Sequence, residues 1–191
     1  AVATQTVQQS LDLDADVMFS DLCPMDVLLQ RVGRLHRHPD RTRPPGHERA
    51  RLVVLLPEQR DISEHIWESG QARGPHGVGT VYQDLRILEA TWRGLERRSE
   101  LVIPEDNRAL VEETTHPEVL EAIVSDAGEG SRWSTHEEHL RADMMAIRVV
   151  ADTVLLRRDR PFEDAAFAEE IDPRVQTRLG ESDRLANFEQ D

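Results

Sequence analysis

The segment Gln30 to His38, QRVGRLHRH, concentrates residue types that can do chemistry. Gln30, Arg34 and Arg37 recur at spacings of four and three, which on a helix puts an amide and two guanidiniums on one face. Gly33 beside that face has no side chain and permits close approach by a ligand or another domain. Arginine offers permanent charge and a planar fork that matches phosphate oxygens. The set suits a triphosphate. In phosphoryl transfer such an arginine stabilises charge on the transferring group, an effect on the order of 10³–10⁵ in rate. The plainer reading is an arginine-rich helix end whose basic side chains complement the helix dipole. QxxGRxxR alone does not choose between the two.

A second segment lies upstream. Ala3 to Asp14, ATQTVQQSLDLD, resembles motif V of superfamily 2 helicases, and QRVGRLHR resembles their motif VI. The two occur in the order, and at about the separation, found in the second RecA-like lobe of these motors; linked motifs are far more specific than either alone. The more particular resemblance is to the CRISPR-associated helicase-nuclease of type I interference, carried by Ser10-Leu11-Asp12 and by Gln30 to His38. Weaker likeness continues in LVVLL at Leu52 (the last lobe strand), VYQDLRILEATW at Val81 (a linker helix) and DPRVQTRLGE at Asp172 (entry to a C-terminal domain).

The resemblance implies roles position by position. Thr4 contacts the DNA backbone. Asp12 lies by the nucleotide ribose or the motif VI arginines, and Gln30 and Gly33 face the nucleotide. Arg34 and Arg37 reach the γ-phosphate, with Arg37 as the arginine finger. Ser10 stands where glycine is usual, and Gln8 where related translocases often carry glutamate. The implied cofactors are ATP and Mg2+, held mainly by an upstream lobe, with a divalent metal for an upstream nuclease domain. The implied partners are single-stranded DNA and the Cascade surveillance complex.

What the sequence lacks bears on the same reading. It contains no lysine, so it has no phosphate-loop lysine, and it contains no Asp-Glu or His-Asp dipeptide. A motor needs a GxxxxGK[ST] loop and an acidic magnesium site. The chain begins without methionine and runs straight into a structured-looking segment. It therefore reads as a piece of a longer protein, inactive by itself toward ATP and DNA.

The elements that position these residues follow from pattern. Ala15 to Ser20 reads as a short strand, and Pro24 to about Leu35 as a helix with proline in its first turn. Pro39 to Gly46, with three prolines, is a loop. Leu52 to Leu56 reads as a fully buried strand. Gly70 to Gly79 is a loop. Val81 to Arg98 is an amphipathic helix with Val81, Leu85, Leu88, Trp92 and Leu95 on its stripe. Pro117 to Ala127 is another helix. Ser134 with Glu137 reads as a capping box opening a helix to about Arg157, whose buried stripe would be Leu140, Met144, Ile147, Ala151, Val154 and Leu155.

The pattern is thus α/β to about Pro57 and then mainly helical; the resemblance implies a partial RecA-like lobe over 1–57, a mainly helical linker and accessory region over 58–158, and the start of a C-terminal accessory domain over 159–191. Two strands do not make an independent sheet, so the α/β part belongs to a larger one. Its open edge predicts poor solubility for the isolated chain.

Composition narrows the classes further. A net charge of −14 argues against a surface that is wholly a nucleic-acid platform. Yet Arg31 to Arg51 holds seven arginines against Asp40 and Glu48, and Arg41, Arg43, Arg49 and Arg51 lean toward a DNA or interface track rather than a solvated loop. The single cysteine, Cys23, is a packing residue. His36, His38 and His47 lack the spacing of a metal site, and His136 with His139 fits ordinary helix-start residues better than ligands. No metal ligand is assigned. Trp92 belongs to a core stripe, while Trp67 and Trp133 stay open between packing and base stacking. No apolar run reaches membrane-spanning length and no secretory leader is recognisable, so a cytoplasmic protein without membrane partners is expected. Two other readings compete: another superfamily 2 helicase or translocase, and a non-enzymatic acidic interaction module with degenerate helicase motifs.

Overall fold

The computed structural model describes residues 12–154, and the chain falls into two units, Ala1–Glu138 and His139–Asp191. Thr4, the Ser10-Leu11 pair, Leu155 and the segment from Asp172 lie outside the described residues.

In the first unit, strand β1 (Val17–Asp21) leads through helix α1 (Met25–Val32) to strand β2 (Arg51–Leu55). The strands pair in parallel, with Val17 opposite Arg51 and Asp21 opposite Leu55. Parallel neighbours need a crossover, and α1 supplies it. A 3₁₀ turn (Ile62–His65) follows, opened by Asp61, whose carboxylate accepts from the Ser63 amide. Helices α2 (Leu85–Glu96), α3 (Asn107–Thr115) and α4 (Pro117–Ala127) complete the helical part, and α5 (Arg132–Val154) runs from this unit into the next. Among the described residues this is a mixed α/β arrangement of five helices and a small parallel sheet.

Two apolar clusters hold it. One joins Leu22 and Ile62 to Leu85, Leu88 and Trp92 of α2, Leu120 and Ile123 of α4, and Trp133 of α5. The other joins Cys23, Met25 and Leu28 to Leu110 of α3, so the α/β segment and the helices share a core. Burying a side chain of this size contributes about 1.5–3 kcal/mol. Gly94 lets α2 and α3 approach: a Cβ there would stand 3.4 Å from the Thr114 methyl.

Several expectations need correction. β2 is not fully buried. Leu52 and Val54 pack inward, but Leu55 is 50% exposed and Phe19 of β1 68% exposed, because the helices cover one face of the sheet. The helix expected from Val81 begins at Leu85. Asp84 caps it by accepting from the Arg86 amide, and Val81 sits exposed in a turn closed by its own amide on the Gly77 carbonyl. At the start of α5 the cap is Ser131, whose Oγ accepts from the Ser134 amide, three residues before the expected position. Along α5, Met144 and Ile147 are exposed rather than buried. Helix α3 was not anticipated. It carries only Leu110 and Thr114 into the core, too little apolar pattern to read as a stripe.

Candidate functional site

Helix α1 stops at Val32, and Gly33 caps it in a right-handed conformation. The chain then turns. The Ala15 amide donates to the Arg34 carbonyl at 2.8 Å, and the His36 amide donates to the Ala15 carbonyl at 3.0 Å. Leu35 thereby forms a parallel bridge to Ala15, just ahead of β1. The common helical face expected for Gln30, Arg34 and Arg37 is therefore not formed. Gln30 is exposed on the last turn of α1, Arg34 lies in the turn that follows, its amide donating to the Arg31 carbonyl, and Arg37 lies in irregular chain beyond. Backbone pairing with Ala15 outcompetes continuation of the helix after glycine, a weak helix former.

The same turn produces a different juxtaposition. Arg37 Nε stands 3.1 Å from Asp12 Oδ1, and His38 Nε2 stands 3.4 Å from the same oxygen. Asp12 thus meets the arginine segment side chain to side chain, with Arg37 and Asp12 both open to solvent. Gly33 itself is exposed, and a Cβ there would be in ordinary contact with the Gln30 and Leu29 carbonyls, at 3.6 Å.

Behind this pair lies a network that the pattern reading missed. Asp14, its side chain 6% exposed, accepts from Arg43 at 2.7 Å, from Arg41 at 3.0 Å and from the His38 amide at 3.4 Å. Arg43 also donates to Asp16 at 2.9 Å and to the His38 carbonyl at 3.1 Å. The bond from Arg43, followed by that from Arg41, holds the Asp14 carboxyl well below the usual carboxylate range against its burial. Arg43, almost buried, is thus paired with Asp14 and Asp16, while Arg41, half exposed, is paired with Asp14. The legible signal was complementary alternation: Asp12, Asp14 and Asp16 at every second residue, facing Arg41-x-Arg43. In extended chain such residues share a side.

Elsewhere charge is absorbed structurally. Arg31 donates to Ser20 Oγ at 2.6 Å and to the Tyr82 hydroxyl at 3.2 Å, tying β1 to the segment before α2. Arg60 lies 4.3 Å over the Trp92 ring and donates to Glu89 and Glu96, so the buried Glu89 carboxylate is paired. His136 is wholly buried. Its Nε2 accepts from the Leu85 amide at 3.1 Å and its Nδ1 lies 2.7 Å from the Gly70 carbonyl. Those partners select the tautomer with the proton on Nδ1. His139 pairs with Asp143. Among the described residues no group of three His, Cys, Asp or Glu could hold a metal ion. No helix there is long and apolar enough to cross a membrane. Trp92 and Trp133 are core residues, whereas Trp67 is 49% exposed with Arg73 stacked on it at 4.7 Å. A hollow of about 430 Å³ lies apart from the arginines, at the C-terminal ends of both strands, with Asp21, Leu22, Leu55 and His76 in its wall.

Comparison with known proteins completes the description. The family model described as CRISPR-associated nuclease/helicase Cas3, C-terminal, matches residues 1–40. The CRISPR-associated endonuclease/helicase Cas3 of Thermus thermophilus is 40% identical over 146 residues, covering 76% of this chain and 14% of that protein. Its Escherichia coli K12 counterpart is 35% identical over 126 residues, covering 66% of this chain and 12% of that protein. The crystal structure of T. fusca Cas3-AMPPNP superposes with a TM-score of 0.61 at 34% identity, covering 82% of this chain and 16% of that one. The T. fusca Cas3-ADP structure gives a TM-score of 0.58 at 33% identity with the same coverage. The chain spans about one seventh of the length of the curated relatives it matches. Sequence and fold agree that the chain belongs to the Cas3 family of CRISPR-associated nuclease/helicases, matching its C-terminal part.

Proposed function

We propose that the intact protein is an ATP-dependent single-stranded DNA helicase or translocase coupled to a nuclease, acting in type I CRISPR interference after recruitment by Cascade. Residues 1–57 belong to its second RecA-like lobe, 58–158 to a helical linker and accessory region, and 159–191 to the start of a C-terminal domain. This chain supplies the arginine-finger side of the ATP site. Arg37 and Arg34 reach the γ-phosphate, Asp12, Gln30 and Gly33 line the nucleotide side, and Thr4 touches the DNA backbone.

The observation that carries this reading is the contact of Asp12 with Arg37, which joins the two motif-like segments in one place. The donor set fits a nucleotide: an exposed amide, guanidiniums and an exposed glycine, with the nearby Asp14 and Asp16 carboxylates paired to Arg41 and Arg43. ATP supplies the free energy of translocation when bound. Arg37 brings a fixed positive charge to the oxygens on which charge grows in the transition state, and Asp12 holds that guanidinium at Nε. Mg2+ and the nuclease metal belong to segments with carboxylate and histidine sets, which the described residues lack.

The test is Arg37→Ala in the intact protein, assayed for DNA-stimulated ATP hydrolysis. The expected result is a kcat lower by about 10³-fold with KM for ATP nearly unchanged. A loss of less than about threefold would remove Arg37 from the chemistry. The purified chain alone is expected to hydrolyse no ATP and cut no DNA, and robust metal-dependent activity from it would overturn that division of labour.

A further inference from the structure

The geometry points to Asp14 and Arg43, with Asp16 and Arg41, as a brace that positions Arg37. This rests on the reading of Arg37 as the arginine finger.

Arg37 sits between two residues whose backbones are both tied to the strand lead-in. On one side, the His36 amide is bound to the Ala15 carbonyl, and His36 holds a φ of 45°, a left-handed conformation that a side-chain-bearing residue adopts at a cost. On the other side, the His38 amide donates to Asp14 Oδ1 and the His38 carbonyl accepts from Arg43 Nη2. Arg43 reaches Asp14, Asp16 and His38 together, at 2.7, 2.9 and 3.1 Å, from a side chain only 9% exposed. Arg41 closes the set on the Asp14 carbonyl and carboxylate. A planar fork bonded to three acceptors at low exposure loses little further entropy and fixes what it touches. Asp14 and Arg43 are thus joined to both backbone groups of His38, the neighbour of Arg37, while Asp12 meets the Arg37 side chain itself. The strained His36 and the exposed Arg37 need such an outside anchor, because the segment belongs to no helix or named strand. A displacement of the guanidinium by about 1 Å lowers transition-state stabilisation by about 10²-fold while leaving ground-state contacts nearly intact. Asp14 and Arg43 are positioning residues in this account; Arg37 is the catalytic one.

The test is a double-mutant cycle in the intact protein, read by calorimetric affinity for ADP and for ADP with vanadate, and by binding stoichiometry. Asp14→Asn and Arg43→Gln are each expected to weaken the vanadate complex by at least about tenfold, with ADP affinity and stoichiometry unchanged. Arg37→Ala gives a comparable loss. Because the brace acts through Arg37, adding Arg43→Gln to Arg37→Ala is expected to cost no more than about twofold further. An additive loss in the double variant, or reduced stoichiometry in the single ones, would reveal a general structural role and overturn the brace. No effect of Asp14→Asn and Arg43→Gln beside a strong effect of Arg37→Ala would overturn it while leaving the arginine-finger reading intact. A silent Arg37→Ala would remove both. Should Arg43→Gln fail to fold, Arg43→Lys, which keeps the charge but not the fork, and the near-isosteric Asp14→Asn run the same cycle.

Discussion

Replacing His136 by alanine tests how the helical part is joined. The imidazole is fully buried and satisfies two backbone groups far apart in sequence: the Leu85 amide, one of the orphan donors at the start of α2, and the Gly70 carbonyl in the preceding loop. Truncation leaves both without their partner in a region with little water. Each such group costs about 1–3 kcal/mol, and the vacated ring volume adds to this, so the total is about 3–5 kcal/mol. Against a usual stability of about 5–15 kcal/mol, that is a large fraction. Two assays read it. In urea denaturation the midpoint is expected to fall by about 1.5–3 M with the slope unchanged. In native-state hydrogen exchange the Leu85 amide is expected to lose about 10²-fold or more of its protection. His136→Phe separates volume from hydrogen bonding, because it refills the space without pairing either group; it is expected to recover less than half of the loss. If both variants cost less than about 1 kcal/mol, or if Leu85 exchange is unchanged, His136 does not hold these groups.

Two further predictions rest on the core. Burial pushes the Cys23 thiol up to about 11 from its ordinary 9.0, so the folded chain resists alkylation at pH 8 while the denatured chain reacts readily. A raised pKa favours the neutral form in the fold. Stability is therefore fully present below pH 9 and declines by about 2–3 kcal/mol as pH rises from 9 through 11. Cys23→Ala is expected to flatten that alkaline limb in a pH series of urea titrations, and an unchanged limb would assign it to another group. Thr91 is wholly buried in α2, and its hydroxyl has no hydrogen-bond partner among the described residues. Thr91→Val keeps the shape and removes the unpaired group, so the melting temperature is expected to rise by a few degrees, for about 1 kcal/mol; a fall would show that the hydroxyl is satisfied.

Local chemistry was readable wherever one residue type dictates one conformation. Pro117 starts α4 and Gly128, at a positive φ, ends it, so both bounds of that helix follow from sequence alone. The stripe of Leu85, Leu88 and Trp92 needed only periodicity to reach the core, and β1 and the proline-rich loop were equally local. Family membership too was legible, because two short motifs in fixed order carry more information than any composition. What pattern could not supply was the partner of each charge and the face that stays open. Nothing in the run of arginines says that Arg43 turns inward to Asp14 and Asp16 while Arg41 meets Asp14 at the surface, since that depends on a turn after Gly33 bringing a loop back onto the lead-in to β1. For the same reason a helical face was expected where a turn and irregular chain stand, and Met144, Ile147 and Leu55 were expected inside where they are exposed. Apolar pattern tells which side of an element would gain from burial. Only the packing of the other elements decides whether anything is there to bury it.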